Sequence, residues 1–485
     1  MSSWFRRFFT ATDSNQQEQK LSNHHETRLQ QIRDFFGDQF DFMETSVLIE
    51  PANATAMVFY FASIADETVI RQHILRPTQR GLEPQANVIR SKELNVIIAE
   101  LRKGRALLLR EHEDDALLID VQRNLARNIE EASSEFVTRG PRDGLTENLQ
   151  QNVGLIRKRL RGTNLQAQSF VVGKKTMTNV VLLCIAELAR QELIEDIVRR
   201  IEAIDTDAIF DTGQIEELIE YHPLSPFDTF MNTERPEKIA ADLLEGRVAI
   251  LVDGSPTAII GPTTFFQHLS SPDDYYQRYL AGSIHRLLRF LGFFLSAHLS
   301  AVYLSLVLYH SHLIPMKLVE ILMAKREQVP FPPLFEVLMM QVMIDLVLEA
   351  ILRLPNKLGQ IIGVSGAIVI GQAAISANLI SPGVIIVVSI TTITGYVMPR
   401  LSTSYTLQLL RYTNLLMAAF LGGFGLMVAM MFWLIHLCNL HSLGQAYLSP
   451  MSPFKLYDMR DMLFRLPKWL MRAQPDHPGS KEAVK

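Results

Sequence analysis

Residues 358–398 read LGQIIGVSGAIVIGQAAISANLISPGVIIVVSITTITGYVM and contain no Asp, Glu, Lys or Arg. About forty uncharged residues are twice the length a helix needs to cross a bilayer. Ser381-Pro382 lies near the middle, where proline cannot continue the first helix, so the run reads as a helical hairpin in a membrane. It is richer in Gly, Ser, Thr and Ala than insertion into lipid requires. Gly359, Gly363, Ala367 and Gly371 recur at spacing four, a small-residue stripe that lets another helix approach closely. Ser365, Val369, Gln372 and Ser376 form a second, mildly polar stripe. In a single packed bundle both stripes are buried packing surfaces. In a ring of copies, the small stripe packs on a neighbour and the polar stripe faces a central path. Ser389, Thr391, Thr392 and Thr394 on the second helix are candidates for the same lining.

The flanking residues extend this membrane half. Residues 270–292 (SSPDDYYQRYLAGSIHRLLRFLG) read as a junction, with Tyr275, Tyr276 and Tyr279 at headgroup level and Arg286 and Arg289 on the cytosolic side of a first span at 290–309. His298 inside that span reads as a buried, hydrogen-bonded histidine. Leu318 to Arg326 reads as an amphipathic helix ended by Pro330, Pro332 and Pro333. Within 334–353, Gln341, Asp345, Glu349 and Arg353 recur every four residues, which places them on one helix face. Asp345, Glu349 and Arg353 form an ionisable stripe: a functional feature if the helix spans, a wet face if it lies in the interface. A last span is expected at 412–437. The tail from His441 carries Lys455, Arg460, Arg465, Lys468 and Arg472 with Trp469, which suits the cytosolic face and requires an even number of spans. Four spans, with 334–352 interfacial, are therefore expected over five.

The first 280 residues differ in kind. After a flexible segment (1–40), short apolar runs alternate with helical spacing: strands at 46–50 and 56–62, a helix capped by Asp66, a helix at 91–101, strands at 105–110 and 116–121, and a helix at 146–161. A second unit follows, with strands at 169–173 and 179–185, helices at 187–204, 213–221 and 234–244, and strands at 247–252 and 257–260 around Asp253-Gly254, a strong hairpin turn. The expected class is an α+β soluble region of two subdomains (41–165 and 166–280), then an α-helical membrane domain (281–440) and a basic cytosolic tail (441–485).

No catalytic constellation emerges. Gly173-Lys174-Lys175-Thr176 resembles the end of a phosphate loop, but Gln168 stands where the loop needs its first glycine. His24, His25 and Glu26 lie in a polar segment, and His222, His268 and His285 have no partners at ligand spacing. Two distant cysteines, Cys184 and Cys438, make neither a disulfide framework nor a metal site. A net charge of −4 argues against nucleic acid. No enzyme activity, metal or cofactor is expected.

Seven stretches carry a resemblance: SSEFVTRGPRDG (133–144), TERPEKIAADLLEGRVAILVDGSP (233–256), SPDDYYQR (271–278), REQVPFPPLFE (326–336), RLPNKLGQIIG (353–363), VIGQAA (369–374) and HSLGQAYLSP (441–450). Together they resemble the GerA family of spore germination proteins, the A-type subunits of nutrient germinant receptors. The resemblance implies the spore inner membrane, a homo-oligomer with an ion path, and a complex with a transporter-like B subunit and a lipoprotein C subunit. It implies that nutrients trigger ion release. It also admits an accessory subunit that amplifies release without sensing. Where the family has Glu, Arg and Glu-Ala-Gly before the RLP motif, this chain has Asp345, Leu348 and Glu349-Ala350-Ile351. A secondary transporter is the alternative outside the family, and it predicts internal repeats.

Overall fold

The computed structural model describes residues 21–22, 24–37, 39–50, 54–84, 87–113, 115–123, 135, 137–354, 371–454, 462, 464–467 and 469. Residues 25–36, expected within a flexible start, form α1 (His25–Phe36), because Ile32 and Phe36 on one face enter the core of the first sheet. That sheet holds β1 (Phe42–Ile49), β2 (Ala54–Phe61), β3 (Val88–Ser91), β4 (Arg105–Arg110) and β5 (Ala116–Asp120) in the order β1-β2-β4-β5-β3. One face carries α2 (67–79), whose first turn is capped by Asp66; the other carries α1 and α3 (Leu94–Arg102).

The second sheet repeats this plan. It holds β6 (Leu165–Val172), β7 (Thr178–Ile185), β8 (Met231–Thr233), β9 (Val248–Val252) and β10 (Ala258–Gly261) in the order β6-β7-β9-β10-β8. In both units a hairpin leads through a helical segment to a short edge strand, then through a helix to a second hairpin beside the first. This is an internal repeat that the sequence reading missed, in the soluble half rather than among the spans. One face of the second sheet packs on α4 (Leu149–Arg159) and α7 (Pro236–Leu244), the other on α5 (Gln191–Glu202) and α6 (Thr212–Ile219). Burial on both faces is why β7 reads as a continuous apolar run. The α4 helix, read as closing the first unit, places Leu149, Val153 and Ile156 on the second sheet. At the β9–β10 turn, Gly254 has φ +85, the positive value that Asp-Gly supplies.

The membrane half contains α8 (Tyr279–Leu308), α9 (Met316–Arg326), α10 (Pro333–Leu352), α11 (Pro382–Gly395) and α12 (Leu401–Asn439). Among the described residues, α8 and α12 are long and apolar enough to cross a membrane. A straight helix of the 39 residues of α12 would run about 58 Å, well beyond a bilayer. It breaks at Gly422, whose φ 60 and ψ −140 suit glycine alone. The chain then reverses: Trp433 Nε1 donates to Thr413 Oγ1 at 3.3 Å, so 423–439 lies back along 401–421. The single last span expected at 412–437 is therefore two antiparallel segments, hidden because both are apolar and only one glycine marks the turn. The α9 segment, read as amphipathic, has apolar side chains such as Leu318 and Ile321 exposed and buries no residue.

Candidate functional site: charged groups between the membrane helices

The helix α8 runs outward from the soluble domain. Gly292 meets the Thr394 carbonyl near the end of α11, and Tyr303 lies beside Gly383 near its start, so α11 runs antiparallel to α8. Asn414 Nδ2 donates to the Ala297 carbonyl at 2.9 Å, and the Tyr309 hydroxyl to the Ala419 carbonyl at 2.7 Å, so the first half of α12 runs outward beside α8. This frame positions three charged sites at different depths.

The middle site contains part of the ionisable stripe. Arg411 Nη2 lies 3.3 Å from Asp345 Oδ1, while Asp345 Oδ2 accepts from Gln408 Nε2 at 2.9 Å and from the Tyr412 hydroxyl at 2.6 Å. Gln341 is fully buried, with its amide group against the same guanidinium. A charge in an apolar layer is costly unless paired and fully hydrogen-bonded, and α10 and α12 supply complementary halves of one such group. Glu349 and Arg353 pair with each other at 2.7 Å on the exposed surface. The stripe thus divides: Gln341 and Asp345 turn inward, and Glu349 and Arg353 turn outward.

The outer site joins both ends of the REQVPFPPLFE stretch. Glu336 is fully buried; one carboxylate oxygen accepts the Ser381 amide at 3.0 Å, and the other lies 3.8 Å from Arg326 Nε. Ser381 is the N-cap of α11, so a carboxylate on α10 holds the hairpin tip through a helix-terminal N–H.

The inner site lies where spans meet soluble domain. The Asp274 carboxylate receives Arg289 through both terminal nitrogens and lies 3.5 Å from Arg286 Nε. Arg465 of the tail donates to the Asp274 and Gln277 carbonyls at 2.6 Å each. Arg286 and Arg289, expected on the cytosolic side of the first span, are buried against this carboxylate. Nearby, Arg400 Nη1 lies 3.3 Å from His268 Nδ1, and Arg400 Nε 3.9 Å from Glu135. Burial, and the adjacent Arg400 charge, hold His268 well below its ordinary value, so its ring is neutral. A cavity of about 400 Å³ opens here, lined among others by Glu135, Asp273, His285, Arg289 and Arg400.

The other predicted residues are dispersed. Gln372 and Ser376 are exposed, and a side-chain carbon at Gly371 meets no described atom within 4 Å. Gly359, Gly363, Ala367, Ser365 and Val369 lie outside the described residues. On α11, Thr391 and Thr392 are buried and donate to the Val387 and Val388 carbonyls, which removes them from any lining. His298 makes the expected hydrogen bond, to Asn414 at 3.0 Å. The Gly173-Lys174-Lys175-Thr176 turn joins β6 to β7, with Lys174 paired to Asp205 and Lys175 to Asp207 on the surface. Sequence reasoning missed Arg411 and Glu336; the signal for Arg411 was a lone arginine inside an apolar run.

Residues 30–477 match the family described as Bacillus/Clostridium GerA spore germination protein. Spore germination protein KA of Bacillus subtilis is 35% identical over 422 residues, 87% of this chain and 78% of that protein. Spore germination protein GerLA of Bacillus cereus is 33% identical over 471 residues, 94% of this chain and 96% of that protein. Spore germination protein A1 of Bacillus subtilis is 39% identical over 354 residues, 73% of each chain. The crystal structure of the N-terminal domain of the A subunit of the Bacillus megaterium spore germinant receptor GerK3 aligns at 27% identity with a TM-score of 0.41, covering 52% of this chain and 99% of that one. A match over nearly the whole length, joined to relatives above 30% identity, places this chain in the GerA family of spore germination proteins.

Proposed function

We propose that the chain is an A-type subunit of a nutrient germinant receptor and that copies of it enclose an ion path in the spore inner membrane. Its partners are then further copies, a transporter-like B subunit and a lipoprotein C subunit. The observation that carries this reading is the exposure of Gln372 and Ser376 near the middle of the uncharged run. Amide and hydroxyl groups on the outer surface of a membrane bundle need water or a partner, and a ring of copies supplies both.

In this reading the chain crosses the membrane an even number of times, and more often than the four crossings expected from the sequence. The helices α8, α10, α11 and the two halves of α12 supply five crossings. The segment after α12 returns to the soluble unit, since Ser442 Oγ lies 3.0 Å from the Thr263 amide. Both ends are then on one side, which requires an even number of crossings. The soluble units and the tail are cytosolic. The Asp345–Arg411 group fixes α10 against α12, and Glu336 fixes the hairpin tip.

The test is ion release from vesicles or spores carrying the assembled receptor. Gln372→Trp, on the stripe that faces the path, is expected to change release at least several-fold while leaving assembly intact. Unchanged release with intact assembly removes the hairpin from the path.

A further inference from the structure

We infer that the cavity at the inner ends of α8 and α11 holds the head group of an aminophospholipid, a phosphate diester that carries a primary ammonium. This rests on the membrane placement proposed above and not on the ion path. The cavity, about 400 Å³, is of the size that takes small ligands. Its lining changes character from inside to outside. The side chains of Arg400 and Glu135 are 9 and 13% exposed, whereas Leu288 and Val397 are 51 and 41% exposed. Arg400 has donors to spare. Its Nη1 lies 3.3 Å from His268 Nδ1, and among the described residues its guanidinium makes no other hydrogen bond. Glu135 Oε1 stops 3.9 Å from Nε, beyond hydrogen-bond reach. Burial lowers the Arg400 guanidinium from its ordinary value although Glu135, Asp242 and Asp228 act to raise it, so these carboxylates do not fully compensate its charge. Arg400 is also the N-cap of α12, where no side chain caps the helix, and the positive end of that helix adds to the same potential. A phosphate beside Arg400 takes up these donors through charge-assisted hydrogen bonds.

Arginine alone would suit any phosphate, and Glu135 selects the ammonium. Its Oε2 accepts from Thr233 Oγ1 at 2.8 Å, while Oε1 receives no hydrogen bond among the described residues. Asp273 lines the same space, its carboxylate holding the Thr138 amide at 3.1 Å. A third carboxylate, Asp274, is neutralised by Arg286 and Arg289. The other two oppose a purely anionic head group and favour one that brings its own cation. A primary ammonium offers N–H donors to Glu135; a quaternary ammonium has none. The apolar rim selects a lipid over a soluble molecule. One turn on from Leu288, Gly292 packs on Thr394 and Val397, so the rim lies where α8 and α11 meet the soluble domain. On the same helix faces, three residues beyond Leu288 and four before Val397, Leu291 and Ile393 are 52 and 65% exposed. An acyl chain leaving the cavity runs along these side chains.

The test uses the full-length chain extracted from membranes into detergent and stripped of lipid. Dioleoyl phosphatidylethanolamine, phosphatidylcholine and phosphatidylglycerol are added in turn, and bound lipid is counted by native mass spectrometry. Phosphatidylethanolamine is expected to bind at about one-tenth of the concentration that either other lipid requires, the scale of one charge-assisted hydrogen bond. Glu135→Gln is expected to erase that preference, and an unchanged preference would place the lipid elsewhere and overturn the site. Arg400→Gln is expected to weaken binding of all three lipids. Should that variant not fold, Val397→Trp, which narrows the rim, is expected to weaken binding while Ile386→Trp, at an exposed position elsewhere on α11, does not; equal binding by these two variants also overturns the site. Equal binding of the three lipids by the unaltered chain overturns the head-group assignment. Free glycerophosphoethanolamine binding as tightly as the lipid overturns the choice of a lipid in favour of a soluble ligand.

Discussion

The two sheets share one strand order, yet they are attached to the molecule differently. The second is fastened to the membrane helices at several points. Thr406 donates to the Pro226 carbonyl at 2.5 Å, Ser225 Oγ lies 2.9 Å from His436 Nε2, and Leu443 from the tail enters the core of the second sheet. The first sheet reaches the second through Asp41, which holds Arg157 of α4 at 2.7 Å, and through the Phe40 amide, which donates to the Ala167 carbonyl at 2.8 Å. Through the described contacts, motion of the spans therefore passes into the second unit directly and into the first through this joint. A duplicated unit has become two parts: one bolted to the membrane, one carried by the other.

The largest expected effect lies at that joint. Arg157 and Asp41 are 3% and 0% exposed, and the guanidinium also stacks over Phe61 at 4.2 Å. Removing one partner strands the other charge, at a cost of about 3–5 kcal/mol. Arg157→Ala should free the first unit to proteolysis while leaving the second protected; equal protection of both units would dissolve the proposed division. Leu443→Ala is next. It leaves a void against Phe230 and Gly261 worth about 2–3 kcal/mol, and should loosen the second unit and the tail with no effect on hydrogen exchange in β1–β5.

A pH effect separates the units at the next scale. Burial pushes the Glu216 carboxyl up to about 7. The folded protein then holds a proton that the unfolded chain releases near 4.5, so stability is full below that value and is lost as pH rises towards 7. Glu216→Gln should stabilise the second unit by about 1–2 kcal/mol at pH 8 and by nothing at pH 4, measured by thermal melting at both values. The smallest effect is the exposed Arg33–Glu44 pair of the first unit, at 2.9 Å. Arg33→Ala should cost less than about 0.5 kcal/mol, and a larger loss would mean that α1 is fastened more tightly than its exposure indicates.

The same contrast explains what could be read from the sequence. Strands with a buried face announced themselves: β4 was read at its observed limits, and β7, β9 and β10 to within a residue. The edge strands β3 and β8 were missed in both units. They are four and three residues long, and polar side chains such as Arg90 and Asn232 interrupt them. Without them the repeat could not be seen. In the apolar half, composition pointed to long apolar helices but not to where they turn, since Gly422 is one glycine among many. Periodicity placed Asp345 on a stripe. It did not reveal Arg411, sixty-six residues on, because complementarity between distant helices leaves no local pattern.

If copies enclose an ion path, the exposed polar residues Gln372 and Ser376 of the uncharged hairpin meet water within the assembled ring. This is tested most directly by cysteine accessibility. In a Cys438→Ser background, with Cys184 buried, single cysteines at Gln372 and Ser376 are compared with one at Ile386, an exposed apolar position on α11. A charged, membrane-impermeant thiol reagent applied to the assembled receptor should modify positions 372 and 376 at least tenfold faster than position 386. Equal, slow modification of all three, with the receptor assembled, would exclude the hairpin from a water-filled path.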